Sequence, residues 1–455
     1  MKINWLPLAA AVALAAGSVS ASAVDFHGYF RAGAQLGTHG GEVYCAGTGL
    51  DGHKVGRLAD ECDTYGEVSL SQEVYNKADN KFTVSTLFGY GTTEGNQDLQ
   101  GDSWQGVGGD GPWGGQRLSF REMYAKYDTA DGYSIWAGKR FYQRKDIHIM
   151  DFYYLNNSGH GTGIENIDIG AGNLNFAVIK WANSYDDDPN SGEKFDGYNR
   201  NVYKVDARWN AIPVGFGSLD ASVIYAFPAI SGKQEDAVKN NPRRNRADSG
   251  VLLTLDHVST FGTSDGSFTA NNHLIFQWGT NGFGYVGAYK NHAGDNYTPD
   301  VDINGVRLID WGVMDFGSNI DLGYSLLWAH LDNGKNHESK GATWTYTRSG
   351  WEYSIVVRPE YKWTEFTRTT LELGYSQMKT TDWVAKGYDD PDLYKFTIAQ
   401  QFTPGKGFWS RPAIRFYASY LGGEQFAHAG ANYADKNVSG HNHQFTFGTQ
   451  VEAWW

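Results

Sequence analysis

Hydrophobic and polar residues alternate along much of this chain. At the C-terminal end, apolar residues share one parity: Phe445, Phe447, Val451, Ala453 and Trp455. Polar residues, together with Trp454, occupy the other parity. The same alternation recurs at 25–32, 65–71, 394–402 and 411–420. Because successive side chains of a β-strand point to opposite faces, a period of two predicts strands with one apolar and one polar face.

Such strands occur both in soluble β-sandwiches and in membrane-spanning barrels. Here aromatic residues cluster at the ends of the predicted strands, and the chain closes with the aromatic strand 445–455. The polar faces carry Arg and Glu near the middle of strands. Barrels have aromatic girdles at the membrane interfaces, and the inside of a pore is polar. The pattern therefore favours an all-β, transmembrane antiparallel β-barrel, with a secreted β-rich binding protein as the alternative.

The spacing of the strands predicts their number. Long segments rich in Gly, Asp and Asn lie at 89–116, 183–201, 229–248 and 331–343, and they alternate with tight turns. Outer-membrane barrels join their strands in this way, with long extracellular loops and short periplasmic turns. At about 24 residues for a strand and its connection, the chain predicts roughly eighteen strands. No repeat or boundary divides it, so residues 24–455 are expected to form a single barrel domain.

Residues 1–23 have the features of an export signal peptide. Lys2 provides a positive start, an apolar run covers 6–16, and Ala21-Ser22-Ala23 forms a cleavage site of the A-x-A type. The run is shorter than the ~18 residues that a spanning helix requires. We expect cleavage after Ala23 and folding in an oxidising compartment. Cys45 and Cys62, the two cysteines, should then form a disulfide worth roughly 3 kcal/mol.

Composition and motifs exclude several functions. The net charge of −13 argues against binding to nucleic acid. The mean hydropathy of −0.49 argues against a helical membrane protein. Residues 300–305 resemble the start of an EF-hand loop, but the twelfth position holds Trp311 instead of Glu. His441 and His443 alone are weak evidence for a metal, and no nucleophile–base pair or phosphate-binding loop occurs. We predict no metal, no cofactor and no enzymatic activity.

The densest chemistry of the chain lies at 142–154. This stretch contains Arg144, Lys145, Asp146, His148 and Asp151 among aromatic residues. Charges this dense need water or partners, and the aromatic rings need an apolar surface. A sugar meets both needs, because its ring faces are weakly apolar and its rim carries hydroxyl groups. The stretch predicts the constriction of a sugar-conducting pore; the alternative is a charged surface loop with some buried tyrosines.

Several segments together resemble the maltoporin family along the whole length from residue 24. The matching segments are VDFHGY (24–29), ECDTY (61–65), WAGKRFYQR (136–144), DFYY (151–154), YKWT (361–364), WSRPAIR (409–415) and the terminal Trp454-Trp455. The resemblance implies a trimeric channel of the bacterial outer membrane for maltose and maltodextrins. It also implies an eighteen-stranded antiparallel barrel, in which one loop folds inward and narrows the pore.

In this family, sugars move along a strip of aromatic residues on the pore wall. By matching motifs, the resemblance assigns to this strip Tyr29, Tyr65, Trp113, Trp363 and Trp454. The alternation independently puts Tyr29, Tyr65 and Trp454 on the polar face. It puts Trp363 on the apolar face, so a bulge or turn would have to rotate that ring inward. Two positions stay open: Trp104 could replace Trp113, and a sixth member falls on Asn271 or Phe268.

A second row in the family binds sugar hydroxyl groups. The resemblance assigns to this row Arg31, Arg57, Glu67, Arg121, Arg144, Asp146, His148 and Asp151. Tyr153 matches a tyrosine that narrows the constriction. Hydrogen bonds to charged partners contribute roughly 1.5–3 kcal/mol each. A series of similar weak sites allows a ligand both to enter and to leave.

The resemblance also implies the surroundings of the channel. We expect a homotrimer in outer-membrane lipid, with a periplasmic sugar-binding protein as a further candidate partner. One alternative is a porin selective for sucrose or another oligosaccharide, since Leu155 follows Tyr153-Tyr154 where maltoporins often carry a larger ring. The other is a general diffusion porin, which has no need of aromatic residues on its lumen face.

Overall fold

The structure of the protein is a computed structural model. It describes residues 24–39, 43–46, 52–61, 63–93, 105–106, 117–183, 200–229, 249–288, 303–317, 319–333, 349–381, 384, 387–427 and 441–455. The signal peptide expected at 1–23 lies outside these ranges and stays a prediction.

Antiparallel strands account for most of the described residues. They are β1 (Asp25–Gly37), β2 (Asp63–Lys77), β3 (Asn80–Thr93), β4 (Gln105–Gly106), β5 (Arg117–Asp128), β6 (Ser134–Ile147), β7 (Phe152–Asp168), β8 (Asn173–Asn183), β9 (Arg200–Val214), β10 (Gly217–Ala229), β11 (Gly250–Gly262), β12 (Thr269–Thr280), β13 (Ile303–Asp315), β14 (Ile320–Asn333), β15 (Gly350–Lys362), β16 (Thr367–Thr380), β17 (Asp392–Phe402), β18 (Ala413–Gly422) and β19 (His443–Trp454). Two 3₁₀ segments occur at His148–Met150 and Asn281–Gly287. β4 has two residues and pairs with β5, whereas the other eighteen strands are long.

β1 closes the sheet into a barrel. On one side it pairs with β2, with Arg31 opposite Tyr65, and on the other side with β19, with Tyr29 opposite Trp454. The remaining long strands follow one another around the ring in chain order. A closed antiparallel barrel of eighteen long strands confirms the fold that the alternation predicted.

The two faces of the barrel wall have opposite polarity. On β17, Tyr394, Phe396 and Ile398 are exposed on the outside, whereas Lys395 and Thr397 are buried inside the barrel. This arrangement is inverted relative to a water-soluble protein, and it is the arrangement of a barrel surrounded by lipid. Among the described helices, none is long and apolar enough to cross a membrane.

Short turns lie at one end of the barrel and long connections at the other. Residues 78–79 join β2 to β3 and residues 215–216 join β9 to β10, at the end where β1 starts and β19 finishes. At the opposite end, β10 ends at Ala229 and β11 begins at Gly250, while β14 ends at Asn333 and β15 begins at Gly350, so the sequence between these strands is long. The barrel therefore has the predicted alternation of long and short connections.

Residues 140–159, here called the inner hairpin, leave the wall and fold into the barrel. The pairing of β5 with β6 reaches Lys139, and the pairing of β7 with β8 begins at His160. Between these residues, β6 and β7 pair with each other, and His148–Met150 forms the tip. Because the wall strands no longer hold it, this hairpin can cross the lumen, as expected for an inward-folded constriction loop.

A hydrophobic core lies between the inner hairpin and one side of the wall. The hairpin contributes Ile147, Ile149, Met150, Phe152, Tyr154 and Leu155, and the wall contributes residues including Ile224, Leu252, Ile275, Ile309, Leu327 and Val356. A fully buried side chain of this size contributes roughly 1.5–3 kcal/mol. The core therefore fixes the hairpin against β10–β15 and leaves its polar groups to meet β1 and β19.

Polar contacts add direction to this packing. Lys145 Nζ donates to Asp220 Oδ2 at 2.6 Å and to Asp256 Oδ2 at 2.8 Å, on β10 and β11. The carbonyl oxygen of Tyr154 accepts a hydrogen bond from Gln277 Nε2 at 2.7 Å, on β12. Hydrogen bonds have narrow preferred geometries. These contacts therefore set the position of the hairpin along the pore axis, which apolar packing alone does not specify.

The described residues 43–46 and 52–61 of the connection between β1 and β2 also lie inside the barrel. The backbone N–H of Leu58 donates to Glu372 Oε1 at 2.9 Å on β16, and Lys395 Nζ donates to the Leu58 carbonyl at 2.8 Å. Gly374 permits this close approach, because a Cβ at that position would collide with the Val55 carbonyl oxygen. The connection thereby brings polar side chains to the tip of the inner hairpin.

Candidate functional site

The tip of the inner hairpin meets β1, β19 and the β1–β2 connection. Asp151 Oδ2 lies 3.3 Å from Arg31 Nη1 on β1. His148 Nε2 lies 3.1 Å from Glu452 Oε1 on β19, and the Ile149 carbonyl accepts the backbone N–H of Arg57 at 3.0 Å. The structure therefore joins parts of the chain that are more than 300 residues apart in sequence.

Three aromatic residues line this side of the lumen. Tyr29 lies opposite Trp454 across the β1–β19 pair, and its ring centroid is 6.1 Å from that of Tyr65. Tyr65 pairs with Arg31, which is two residues further along β1 than Tyr29. Tyr65 therefore lies farther from the short-turn end than Tyr29 and Trp454 do. Tyr65, Tyr29 and Trp454 therefore form one continuous row on the lumen face that alternation predicted for them.

A fourth aromatic residue, Trp409, joins the row from the β17–β18 connection. The His148 ring makes edge contacts with both Trp409 and Trp454, at centroid distances of 5.3 Å in each case. Arg411 stacks over Trp454, with its guanidinium carbon 4.4 Å from the ring centroid. Trp409 was not assigned a role from the sequence, because it follows β17 in a connection where alternation gives no orientation. Its one signal was its place in the family-like segment WSRPAIR.

Arg31 holds three carboxylates beside the aromatic row. It makes a two-pronged contact with Asp63, at 2.9 and 2.8 Å, and lies 3.0 Å from Glu61 and 3.3 Å from Asp151. Burial alone would raise the pKa of the Asp151 carboxyl, but Arg57 and Arg31 hold it well below its usual range. The pKa of Glu61 is likewise lowered by Arg31 and Arg57 against the effect of burial. Both carboxylates are therefore ionised at neutral pH.

Arg57 connects this cluster to the aromatic row. Its guanidinium donates to the Tyr29 hydroxyl at 2.7 Å and to Glu61 Oε1 at 2.7 Å, and its Nη1 lies 3.0 Å from His148 Nε2. Burial lowers the pKa of His148, and although Glu452 opposes the shift, Arg57 adds to it. His148 is therefore neutral at physiological pH. The arrangement supplies fixed donors and acceptors next to aromatic faces.

Nearer the long-connection end, the row continues with Arg121, Glu67 and the inner hairpin. Arg121 Nη1 donates to the Tyr65 hydroxyl at 2.8 Å, and the same hydroxyl donates to Glu67. Arg144 stacks between Phe141 and Tyr153, 4.4 Å from each ring centroid. Asp146 is half-buried on the same hairpin. All eight residues of the expected polar row are therefore among the described residues, and they border one side of the lumen.

Trp363 lies outside the lumen, which contradicts its place in the expected aromatic strip. It follows β15 in a short turn, is 61% exposed and contacts the outward-facing Tyr361. Its Nε1–H donates at 2.8 Å to Thr369 Oγ1, on the outer parity of β16. Burial alternates without interruption to Lys362, so no bulge rotates Trp363 inward.

The structure describes only some of the other positions that the sequence left open. Trp113, Trp104 and Cys62 lie outside the described residues, while Cys45 is disulfide-bonded. For the sixth aromatic position, Asn271 has lumen parity but no ring, and Phe268 lies in a turn against Phe316. An aromatic residue that does lie on the lumen face here is Trp311, stacked on His273 with a centroid distance of 4.5 Å. Sequence reasoning had considered Trp311 only as a failed calcium ligand.

A metal site gains no support from the cluster geometry. Within the described part of the chain, His53, Glu61 and Asp151 place one ligand atom each within 4.8 Å of one another. However, both carboxylates already pair with Arg31 or Arg57, and His53 Nδ1 lies 3.1 Å from Asp60. Two guanidinium groups at this distance oppose the binding of a cation.

Comparison with known proteins places these features in context. A sequence model of the LamB porin family matches residues 24–455. A maltoporin of Hahella chejuensis is 34% identical over 456 residues, covering 99% of this chain and 97% of its own. A maltoporin of Vibrio cholerae is 33% identical over 466 residues and covers all of both chains. The solved structure of a BenF-like porin from Pseudomonas fluorescens aligns with a TM-score of 0.50 at 10% identity, covering 96% of this chain and all of its own; this likeness supports the fold alone.

Proposed function

The chain belongs to the LamB porin family and is a porin of the bacterial outer membrane; from this premise we propose that it conducts maltose and maltodextrins by facilitated diffusion. The observation that carries the proposal is the row of Tyr65, Tyr29, Trp454 and Trp409 beside fixed ion pairs. A general diffusion pore has no need of such a row. An aromatic strip next to charged hydrogen-bonding groups matches the two kinds of surface on a sugar.

The proposed mechanism has two parts. Sugar rings stack on the aromatic faces, while hydroxyl groups exchange hydrogen bonds with Arg31, Arg57, Asp151 and Glu67. The ion pairs hold these partners in place before the sugar arrives, so little ordering entropy is lost on binding. Because neighbouring positions offer similar partners, a sugar can advance by small steps without entering one deep free-energy minimum.

The inner hairpin sets the size limit in this proposal. Arg144, Tyr153 and Phe141 form a stacked group on the hairpin, and the guanidinium of Arg121 lies over both Phe141 and Tyr65, so this group adjoins the aromatic row. Leu155, by contrast, is 1% exposed and packs into the core. The residue at position 155 therefore does not face the sugar path. It could affect the selectivity of the pore between maltose and sucrose only through the packing of the hairpin. This favours the maltodextrin proposal over the sucrose alternative.

Assembly and processing complete the proposal. We expect cleavage after Ala23, and a homotrimer in which the Gly-rich segment 89–116 with Trp104 and Trp113 reaches a neighbouring pore. A periplasmic sugar-binding protein remains a candidate partner at the short-turn end.

The test compares the last two residues of the chain. Trp454 borders the lumen, whereas Trp455 lies on the outer face against Phe26, with a centroid distance of 5.4 Å. Stacking on an aromatic ring contributes roughly 1 kcal/mol or slightly more, so Trp454→Ala should weaken current block by maltotriose about tenfold. Trp455→Ala should leave the block unchanged. Equal losses in both variants, with intact assemblies, would refute the proposed path; unchanged block by maltose and maltotriose but strong block by sucrose would refute the substrate.

A further inference from the structure

Three basic side chains lie side by side on the wall where the inner hairpin departs. In the strand register, Lys139 on β6 is directly opposite His160 on β7, and His160 is directly opposite Lys180 on β8. Directly opposed residues place their Cβ atoms about 4.5–5.5 Å apart, so the imidazole lies between the two lysines. We call these residues the basic row.

The basic row is on the outer face of the barrel. Lys180 shares its parity with Phe176 and Val178, which are 42% and 44% exposed, whereas Ala177 and Ile179 between them are buried inside. On β6, Lys139 shares its parity with the exposed Ile135. Both lysines thus follow an apolar outward-facing stretch that starts at the short-turn end.

The basic row lies at the level of the barrel wall where a membrane interface is expected. Lys180 lies opposite Tyr203, whose ring stacks on Phe227 at a centroid distance of 5.8 Å near the long-connection end. Aromatic residues of this kind form the girdle at the headgroup level of outer-membrane barrels. Lysine side chains near such a level extend their ammonium groups toward the headgroups.

The wall also ends at the basic row. Beyond Lys139 and His160, the strands turn inward as the inner hairpin, so the row lines the base of a notch in the long-connection end of the wall. Lys139 Nζ donates to the Phe120 carbonyl oxygen at 2.7 Å, which uses one of its three donors. The two other donors of the Lys139 ammonium group remain for an acceptor outside the wall.

The basic row differs from the cations that are paired inside the lumen. Arg31, Arg57 and Lys145 each pair with carboxylates inside the lumen. In the part of the chain that the structure describes, no carboxylate pairs with Lys139, His160 or Lys180. Two lysine ammonium groups on either side of a histidine N–H form a local positive surface on a chain whose net charge is −13, and such a surface attracts anions.

We propose that the basic row binds the phosphate groups of an anionic lipid of the outer leaflet. Phosphate oxygens accept hydrogen bonds from lysine ammonium groups and from a histidine N–H, including that of a neutral imidazole. The acyl chains of the same lipid would cover Ile135, Phe176 and Val178. This proposal uses the outer-membrane location and does not depend on which sugar the pore conducts.

The test measures how much lipid the purified protein retains. Protein in neutral detergent is titrated with a bis-phosphorylated lipid A or with the same lipid after removal of its phosphates, and bound lipid is counted by native mass spectrometry. Each lysine near an anionic headgroup contributes roughly 1 kcal/mol. Lys139→Gln with Lys180→Gln should therefore weaken binding of the phosphorylated lipid roughly thirtyfold, while Lys139→Arg with Lys180→Arg should preserve it.

Controls separate this site from general charge and folding effects. Lys77 and Lys81 flank the β2–β3 turn at the opposite end, so Lys77→Gln with Lys81→Gln should leave lipid retention unchanged. Ion conductance and sugar block should be unaffected in every variant, because the basic row is outside the lumen. Equal retention of the dephosphorylated lipid, undiminished binding by the glutamine variant, or full displacement by inorganic phosphate at the lipid's own concentration would each overturn the proposal.

Discussion

At the scale of single residues, the structure places Trp409 in the aromatic row and places Trp363, which motif matching had assigned to that row, on the outer face. Trp409 contacts His148 beside Trp454, whereas Trp363 bonds to Thr369 on the outer face. We predict that Trp409→Ala weakens current block by maltotriose about tenfold, as expected for the loss of one stacking contact of roughly 1.4 kcal/mol. Trp363→Ala serves as the matched control and should leave the block constant within twofold. The reverse order of effects would show that the sugar path follows the motif and not the structure.

The protonation states of the cluster lead to a second prediction at this scale. Because Arg57 and Arg31 lower the pKa of Asp151, its stabilising contacts persist below the usual carboxyl range and are lost only as pH falls through the lowered pKa. His148 stays neutral below its ordinary pKa, since burial and Arg57 outweigh Glu452. Block by maltotriose should therefore vary less than twofold between pH 8 and pH 6. A larger change with a midpoint near 6.5 would indicate that His148 titrates like a free histidine.

At the scale of elements, ion pairs with the wall help to hold the inner hairpin in place. Lys145 is placed between Asp220 and Asp256. Lys145→Met keeps the length of the side chain but leaves two carboxylates without their cation, a change worth roughly 1–3 kcal/mol for partly buried groups. We predict larger fluctuations of the open-channel current in this variant, because the hairpin is held less firmly.

A matched variant distinguishes this effect from a general loss of charge. Lys379 also pairs with two carboxylates, Asp389 and Asp390, but it is 44% exposed and distant from the hairpin in the fold. Lys379→Met should leave current fluctuations unchanged, since exposed ion pairs contribute little. Similar fluctuations in wild type and in Lys145→Met would mean that the hydrophobic core alone positions the hairpin.

At the scale of the whole molecule, the outer face of the barrel bears on assembly. Gly28 lies directly beneath the ring of Trp455, so a Cβ at position 28 would collide with that ring. The ring of Phe26 lies alongside. The C-terminal aromatic residue is thus packed flat on the outer face of β1.

We expect a trimer that dissociates on heating, visible as a slowly migrating band in unboiled gels and as three chains by light scattering. Detection of monomers alone under both conditions would contradict this expectation.

Several features of the protein follow from the sequence because they depend on neighbouring positions. The alternation with a period of two determines which side chains share a face. The lumen positions of Tyr29, Tyr65 and Trp454 could therefore be predicted without knowing any partner strand. The same local rule indicated that Trp363 belongs to the outer face, and the structure supports the rule over the matching motif. The segment 142–154 led to the prediction of a constriction because charges that dense need water or partners and rings that dense need an apolar surface.

Other features were decided by the tertiary structure, because they depend on contacts between distant segments. Trp409 enters the aromatic row from a connection where no periodicity applies, and it acquires its position from His148 on the inner hairpin. Arg57 reaches Tyr29 only because the β1–β2 connection folds into the barrel. The basic row exists because the register of three strands aligns Lys139, His160 and Lys180. Alternation gives the face of each residue, but the height of one strand against the next is set by closure of the whole barrel.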